Sequence, residues 1–174
     1  MLPPFQFCKA YLFSTLSLPV YIFGHFSTYI QIVSGELHFA YRAKQEQKEI
    51  VLSGADDISL FCDRDWLSEA IGNIVKNALD HTEKGDTIHI KWKALPSAVQ
   101  ITVKDNGCGI HPEDLHHIFK RFYRSRFSKD TQGIGLGLPL AKAIIEAHGG
   151  LIEVESELGI GTSFIMNFPI PTKL

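Results

Sequence analysis

The sequence is poor in cysteine, with only Cys8, Cys62 and Cys108 among 174 residues. No pair has C-x-x-C or zinc-finger spacing, so neither a disulfide framework nor a structural zinc site is expected, and the thiols read as reduced. An excess of one charge is also lacking. Lys and Arg number 17 against 19 Asp and Glu, a formal net charge of −2. That balance lacks the electrostatic footprint of a nucleic-acid binder, and no nucleic-acid partner is expected. No internal repeat or low-complexity tract is visible. A 45% hydrophobic and 21% charged composition excludes collagenous and wholly disordered chains, and it supplies a core for one domain.

Charge is nearly absent from the first forty residues, where only Lys9 and Glu36 are charged. From Ala10 to Gly35, 26 residues pass without Asp, Glu, Lys or Arg. A run of about 20 apolar residues suffices to cross a bilayer, so residues 10–33 are a candidate membrane-associating segment. Arg42, Lys44 and Lys48 follow and would leave the C-terminal part cytoplasmic. Pro19, Gly24, His25 and several Ser and Thr dilute the hydropathy. An aromatic-rich remnant that packs on the domain or stays loosely ordered is therefore the alternative. A cleaved signal peptide is disfavoured, because no small-x-small site follows a compact apolar core. Residues 1–38 are set apart as this apolar segment, and 39–174 as one domain.

Within that domain, helical and strand patterns alternate. Phe39 to Gln47 suits a short helix. Ile50–Ser53 and Ile58–Cys62 suit brief strands around the turn-prone Gly54-Ala55-Asp56-Asp57. Asp63 or Asp65 caps a helix to about His81, whose Leu67, Ile71, Ile74, Val75 and Ala78 form one buried stripe. Strict alternation marks strands at Ile88–Lys93 and Val99–Asp105, joined through Pro96-Ser97. Pro112 and Pro139 each stand where a helix begins, and Gly149-Gly150 stops the second. Leu151–Glu155 and Thr162–Phe168 complete an antiparallel pair. The fold expected is an α/β (α+β) two-layer sandwich, a mixed and mostly antiparallel sheet with helices on one face.

Several chemistry-bearing groups sit on this frame. Glu69, Asn73 and Asn77 recur every four residues on one helical face, offering oxygens to a hard cation such as Mg²⁺, or forming merely a solvated polar face. Asp105-Asn-Gly-Cys-Gly109 ends a strand. There a carboxylate can accept from an exocyclic amine, and Gly107 and Gly109 admit a flat ligand; a plain turn is the bland alternative. Gly133-Ile-Gly135-Leu136-Gly137 runs into a helix, where backbone N–H groups and the macrodipole favour phosphate. The preceding stretch is polar and loop-like, and no Walker Lys-Ser/Thr pair exists, so both familiar nucleotide folds are disfavoured. Phe119 and Phe122 are spaced to pack one helical face, while Arg121 and Arg124 can neutralise phosphate. Gly161-Thr162 precedes the last strand, and Cys108 reads as a small packing residue.

In this order the elements resemble the GHKL ATP-binding superfamily, most closely the catalytic domain of bacterial sensor histidine kinases. The N box looks like Glu69…Asn73…Asn77-Ala-Leu-Asp-His81. It is followed by Asp105-x-Gly107-x-Gly109, Phe119-x-x-Phe122, Gly133-x-Gly135-x-Gly137 and Gly161-Thr162. The resemblance covers about Phe39 to Pro169 and implies a Bergerat fold holding ATP between the N-box helix and a lid. It implies Asn77, with Asn73, as Mg²⁺ ligands, and Asp105 with Thr162 at the adenine amine. Gly107 and Gly109 would line the adenine side, with Gly133, Gly135, Leu136 and Gly137 in the phosphate-facing lid. Arg124 would lie at the γ-phosphate and Glu69 would be the carboxylate that orients or deprotonates an acceptor. The implied partners are a histidine phosphoacceptor (dimerisation) domain and, through it, a response regulator. The implied parent protein is a membrane-bound sensor.

Two departures stand out. Where many members carry Lys and then an aromatic residue, this chain has Asp80 and His81, shifting phosphate neutralisation to Arg124, Arg121 or Lys129. No His-Glu-x-x-Thr-Pro acceptor motif occurs, and His25 lacks the neighbouring acid. The expectation is a catalytic domain whose substrate histidine is supplied elsewhere or was lost by truncation. A GHKL ATPase of the gyrase, mismatch-repair or chaperone kind remains open, as does a catalytically silent nucleotide-binding regulator.

Overall fold

The computed structural model describes residues 37–55, 58, 60, 62–125 and 134–170. The candidate membrane segment, Gly133 and Lys129 lie outside them. Helix α1 (Leu37–Gln45) leads into strand β1 (Glu49–Gly54), then helix α2 (Arg64–Asp80). Strands β2 (Thr87–Ala94) and β3 (Ala98–Asp105), the short helix α3 (Pro112–Leu115) and helix α4 (Gly137–Ala147) follow. Strands β4 (Leu151–Glu157) and β5 (Gly161–Pro169) end the order. The sheet runs β1-β2-β3-β5-β4, with β1 parallel to β2 and every other pair antiparallel. It is the expected mixed α/β arrangement, and no helix among the described residues is long and apolar enough to cross a membrane.

Alternation of side chains explains the layering. On β2, β3 and β5 every second residue is buried: Ile88, Ile90 and Trp92; Val99, Ile101 and Val103; Phe164, Met166 and Phe168. A strand with one buried face must be covered on that face. Cover comes from α2, through Leu67, Ile71, Ile74, Val75 and Ala78, and from Ala141, Ile144 and Ile145 of α4. Each fully buried large side chain removes apolar area worth about 1.5–3 kcal/mol.

Two helix caps place the site. Asp63 caps α2, its side chain accepting from the Asp65 and Trp66 N–H groups at 3.1 Å each. The Asp63 N–H in turn donates to His148 Nε2 at 3.1 Å, while His148 Nδ1 lies 2.8 Å from the Ile144 carbonyl. Because a backbone N–H can only donate, Nε2 is the acceptor and the imidazole is neutral with its proton on Nδ1. The end of α4 is thereby tied to the start of α2.

Three expectations need correcting. Ile58, Leu60 and Cys62 are buried but belong to no strand, so burial at these positions comes without ladder pairing; Ser59 and Phe61 lie outside the described residues. Beside them the chain leaves the sheet where Trp92 Nε1 donates to the Ala55 carbonyl at 2.8 Å. Pro139 is the third residue of α4, not the first. Its missing N–H is still harmless, since first-turn N–H groups have no intrahelical partner. Phe119 and Phe122 do not share a helical face. Residues 116–122 form turns, Phe122 takes a φ of 62° and its side chain is 72% exposed, so only Phe119 packs on the core.

Candidate functional site

The site assembles where the C-terminal half of α2, the loop after β3 and the N-terminus of α4 meet. Asn73 donates through Nδ2 to the Glu69 carbonyl (2.9 Å) and to Glu69 Oε1 (3.0 Å). That orientation turns Asn73 Oδ1 toward Gly137, at which an added Cβ would stand 3.0 Å from it. The first residue of α4 therefore sits against the polar face of α2. Asn77 lies one turn further along, about 6 Å on. Its side chain makes no hydrogen bond with another described residue, which leaves its amide oxygen available. Two amide oxygens on one helical face fit a hard cation that keeps waters and phosphate oxygens in its remaining positions.

Asp105 forms the second wall. It is 3% exposed. Its Oδ1 accepts from the Gly107 N–H at 3.0 Å and the Thr162 N–H at 3.2 Å. Oδ2 has no partner among the described residues. Burial pushes this carboxyl above the usual carboxylate range, against the opposing pull of the Gly107 and Thr162 N–H groups. The loop closes tightly around it. The Cys108 N–H donates to the His81 carbonyl at 3.1 Å, and a Cβ on Gly107 would collide with that same oxygen. Gly109, at φ 71°, lies against the Glu157 carbonyl, where only glycine fits. Cys108 itself is exposed, correcting its expected packing role; partial desolvation of its thiol and the Asp105 charge push it up.

Ser156 is a member of the site that sequence reasoning missed. Its hydroxyl donates to the Gly161 carbonyl (2.9 Å), accepts from the Ile110 N–H (2.8 Å) and lies 3.0 Å from Thr162 Oγ1. It thus fixes the strand start that presents Thr162 to Asp105. The available signal was its place six residues before Thr162, facing it across the β4–β5 hairpin.

The third wall is the start of α4. Its N-cap, Leu136, provides no side-chain hydrogen bond, so the first-turn N–H groups remain open to an anion. Gly135, at φ 69°, accepts from the Phe122 N–H at 2.9 Å, and a Cβ there would crowd the backbone of Phe122 and Tyr123. The aromatic segment therefore holds the glycine loop by its backbone, not by the Phe122 ring. Phe119 anchors that segment instead, edge-on to Phe164 at 6.4 Å with Lys142 Nζ 5.2 Å from its ring centre.

Most residues singled out in the sequence are thus brought together: Glu69 with Asn73 and Gly137, and Asp105 with Gly107 and Thr162. Gly109, Gly135 and Leu136 frame them. Arg121 and Arg124 are exposed and lie beyond α3. Asp80 points elsewhere, accepting from Arg42 of α1 at 2.7 Å and lying 3.4 Å from Lys76.

Residues 62–172 match the family described as histidine kinase-, DNA gyrase B- and HSP90-like ATPases. The sensor protein SrrB of Staphylococcus aureus is 43% identical over 111 residues, 63% of this chain. The chain spans 19% of that relative's length. The catalytic domain of histidine kinase ThkA superposes with a TM-score of 0.72 at 26% identity, covering 84% of this chain and 97% of that one. Full-length ShkA in complex with AMPPNP gives 0.71 at 25% identity, covering 97% and 34% respectively. A mycobacterial sensor histidine kinase, MprB, shares the fold with a TM-score of 0.71 at 23% identity, covering 81% and 95%. With the walls described above, these likenesses establish that the chain belongs to the histidine kinase-, gyrase B- and HSP90-like ATPases, as an ATP-binding domain of the sensor histidine kinase kind.

Proposed function

We propose that the protein binds Mg·ATP and transfers the γ-phosphoryl group to a histidine on a separate phosphoacceptor domain, which in turn serves a response regulator in a two-component system. One observation carries the reading: Asp105 is anchored through Oδ1 by two backbone N–H groups, which leaves Oδ2 to receive the amine of adenine. Thr162 supports that carboxylate. Gly107 and Gly109 let the base approach the backbone. Gly133, Gly135, Leu136 and Gly137 bring N–H groups to the phosphates, and Arg124 meets the γ-phosphate. Asn77 and Asn73 would hold Mg²⁺, which when bound neutralises charge on the phosphates. Glu69 orients the incoming imidazole and takes its proton. The ring nitrogen's lone pair forms the P–N bond as the γ-phosphorus–oxygen bond breaks, and ADP leaves with that electron pair. Positioning and neutralisation supply most of such catalysis. Membrane attachment through residues 10–33 would belong to the same sensor reading.

The test incubates the full chain and Mg²⁺ with γ-labelled ATP and a purified phosphoacceptor domain of a sensor kinase. Acid-labile label is expected on the acceptor, and its loss in Asn77→Ala. Transfer retained by Asn77→Ala contradicts the metal role. Steady-state hydrolysis without an acceptor would favour a gyrase- or chaperone-like ATPase, and binding without transfer to any acceptor a regulatory module.

A further inference from the structure

The face of the sheet opposite α2 and α4 carries charges in an arrangement the nucleotide site does not use. Lys91 and Lys93 of β2 and Lys104 of β3 stand on one side; Glu153, Glu155 and Glu157 of β4 stand on the other, all six exposed. None of the six is in an ion pair among the described residues. A face kept apart by solvation alone would intersperse its signs. Here they are segregated by strand. The registers also align them in rows: Lys91–Thr102–Ile165–Glu153, and His89–Lys104–Ser163–Glu155. In each row β2 and β4 are three strand spacings apart, roughly 14 Å between backbones, which separates the opposite charges within one molecule.

We propose that this open sheet face pairs with the same face of a second copy of the chain. A two-fold axis parallel to the strands, between β3 and β5, carries β4 of one copy over β2 of the other without changing the row. Glu153 then faces the second copy's Lys91, and Glu155 faces its His89 and Lys104. Leu151 covers the stem of Lys93. Isologous contact of this kind requires such self-complementarity, and the aligned packing of two sheets preserves the rows near the axis. Glu157 and Glu49 fall at the rim, where water solvates them. Four strands at about 4.8 Å and seven residues at about 3.3 Å give a face of roughly 19 by 23 Å. The pair would therefore bury less than the roughly 1,200 Å² of a stable interface, making it weak and governed by charge. This inference stands independently of phosphotransfer.

Sedimentation velocity on the full chain, up to about 0.5 mM, tests it. Self-association is expected at about 0.01 M salt and at least tenfold weaker near 1 M, where screening shortens from about 30 Å to about 3 Å. Lys91→Glu with Lys104→Glu leaves Lys93 as the one basic residue among the six, and Glu153→Lys with Glu155→Lys leaves Glu157 as the one acidic residue among them. Each variant alone should stay monomeric, and an equal mixture of the two should form a heterodimer tighter than the wild-type pair. A wild type that remains monomeric at low salt, variants that self-associate as the wild type does, or variants that fail to pair when mixed would each overturn the proposal. The last two outcomes would equally expose association through some other segment.

Discussion

Replacing Asp105 with Asn probes the site with little disturbance of shape. The Asn carbonyl oxygen can occupy the Oδ1 position and keep both backbone donors, Gly107 N–H at 3.0 Å and Thr162 N–H at 3.2 Å. Its NH₂ then stands where Oδ2 stood and presents a donor to the donor of adenine. Losing a charge-assisted hydrogen bond costs about 1.5–3 kcal/mol, and the opposed donors add to it. ATP affinity should therefore fall by about 10- to 150-fold or more. Folded stability should hardly change, because removing a buried carboxylate relieves desolvation. Asp105→Ala behaves differently: two buried N–H groups lose their acceptor, at about 1–3 kcal/mol each. Titration calorimetry with Mg·ATP and urea unfolding of both variants separate the two effects. ATP affinity within about threefold of wild type in Asp105→Asn would refute the assignment. The pH dependence carries a further sign. The folded carboxyl titrates above its unfolded value, so its contribution to stability is present below the unfolded pKa and is lost as pH rises through the folded pKa. Nucleotide binding runs the other way, weakening as acid protonates Oδ2, and beginning to do so at a higher pH than an ordinary aspartate would.

Three other outcomes follow from the packing. Gly107→Ala places a methyl against the His81 carbonyl and should cost about 1–3 kcal/mol in chemical denaturation, with ATP binding weakened alongside. Phe119→Ala should lose about 2–3 kcal/mol, whereas Phe122→Gly, relieving a left-handed φ at an exposed ring, should leave stability unchanged or raise it by about 1 kcal/mol; equal losses would contradict the turn geometry. Arg42→Ala breaks the bridges to Asp80 and Glu46 and should cost about 1 kcal/mol, less at high salt. Burial raises the Glu46 carboxyl, but hydrogen bonds from Lys48 and Arg42 outweigh this and hold it low. Its stabilisation is therefore present above the unfolded carboxylate value and lost as pH falls through the folded one, and Arg42→Ala should flatten that acid limb.

The parts legible in the sequence are those set by short-range periodicity. The Asp63 cap, the α2 stripe and the alternation of β2, β3 and β5 need only neighbours in the chain, and they emerged within a few residues of their observed bounds. Asp105 and Thr162 were paired through resemblance, and the backbone bond between them is a long-range contact that spacing alone does not encode. The same limit hid Ser156 and the His148–Asp63 link. Phe122 misled because a three-residue spacing implies a shared helical face only if the backbone is helical, and a φ of 62° reverses the chain there. The brief strand expected at Ile58–Cys62 misled similarly, since burial of Ile58, Leu60 and Cys62 requires no partner strand.

A crystal structure of the protein grown with Mg²⁺ and a non-hydrolysable ATP analogue tests the central claim most directly. The account predicts the exocyclic amine of adenine within hydrogen-bond distance of Asp105 Oδ2, and the phosphates between Asn77 and the first turn of α4. A nucleotide bound elsewhere, or well-folded crystals that take up none at saturating analogue, would contradict it.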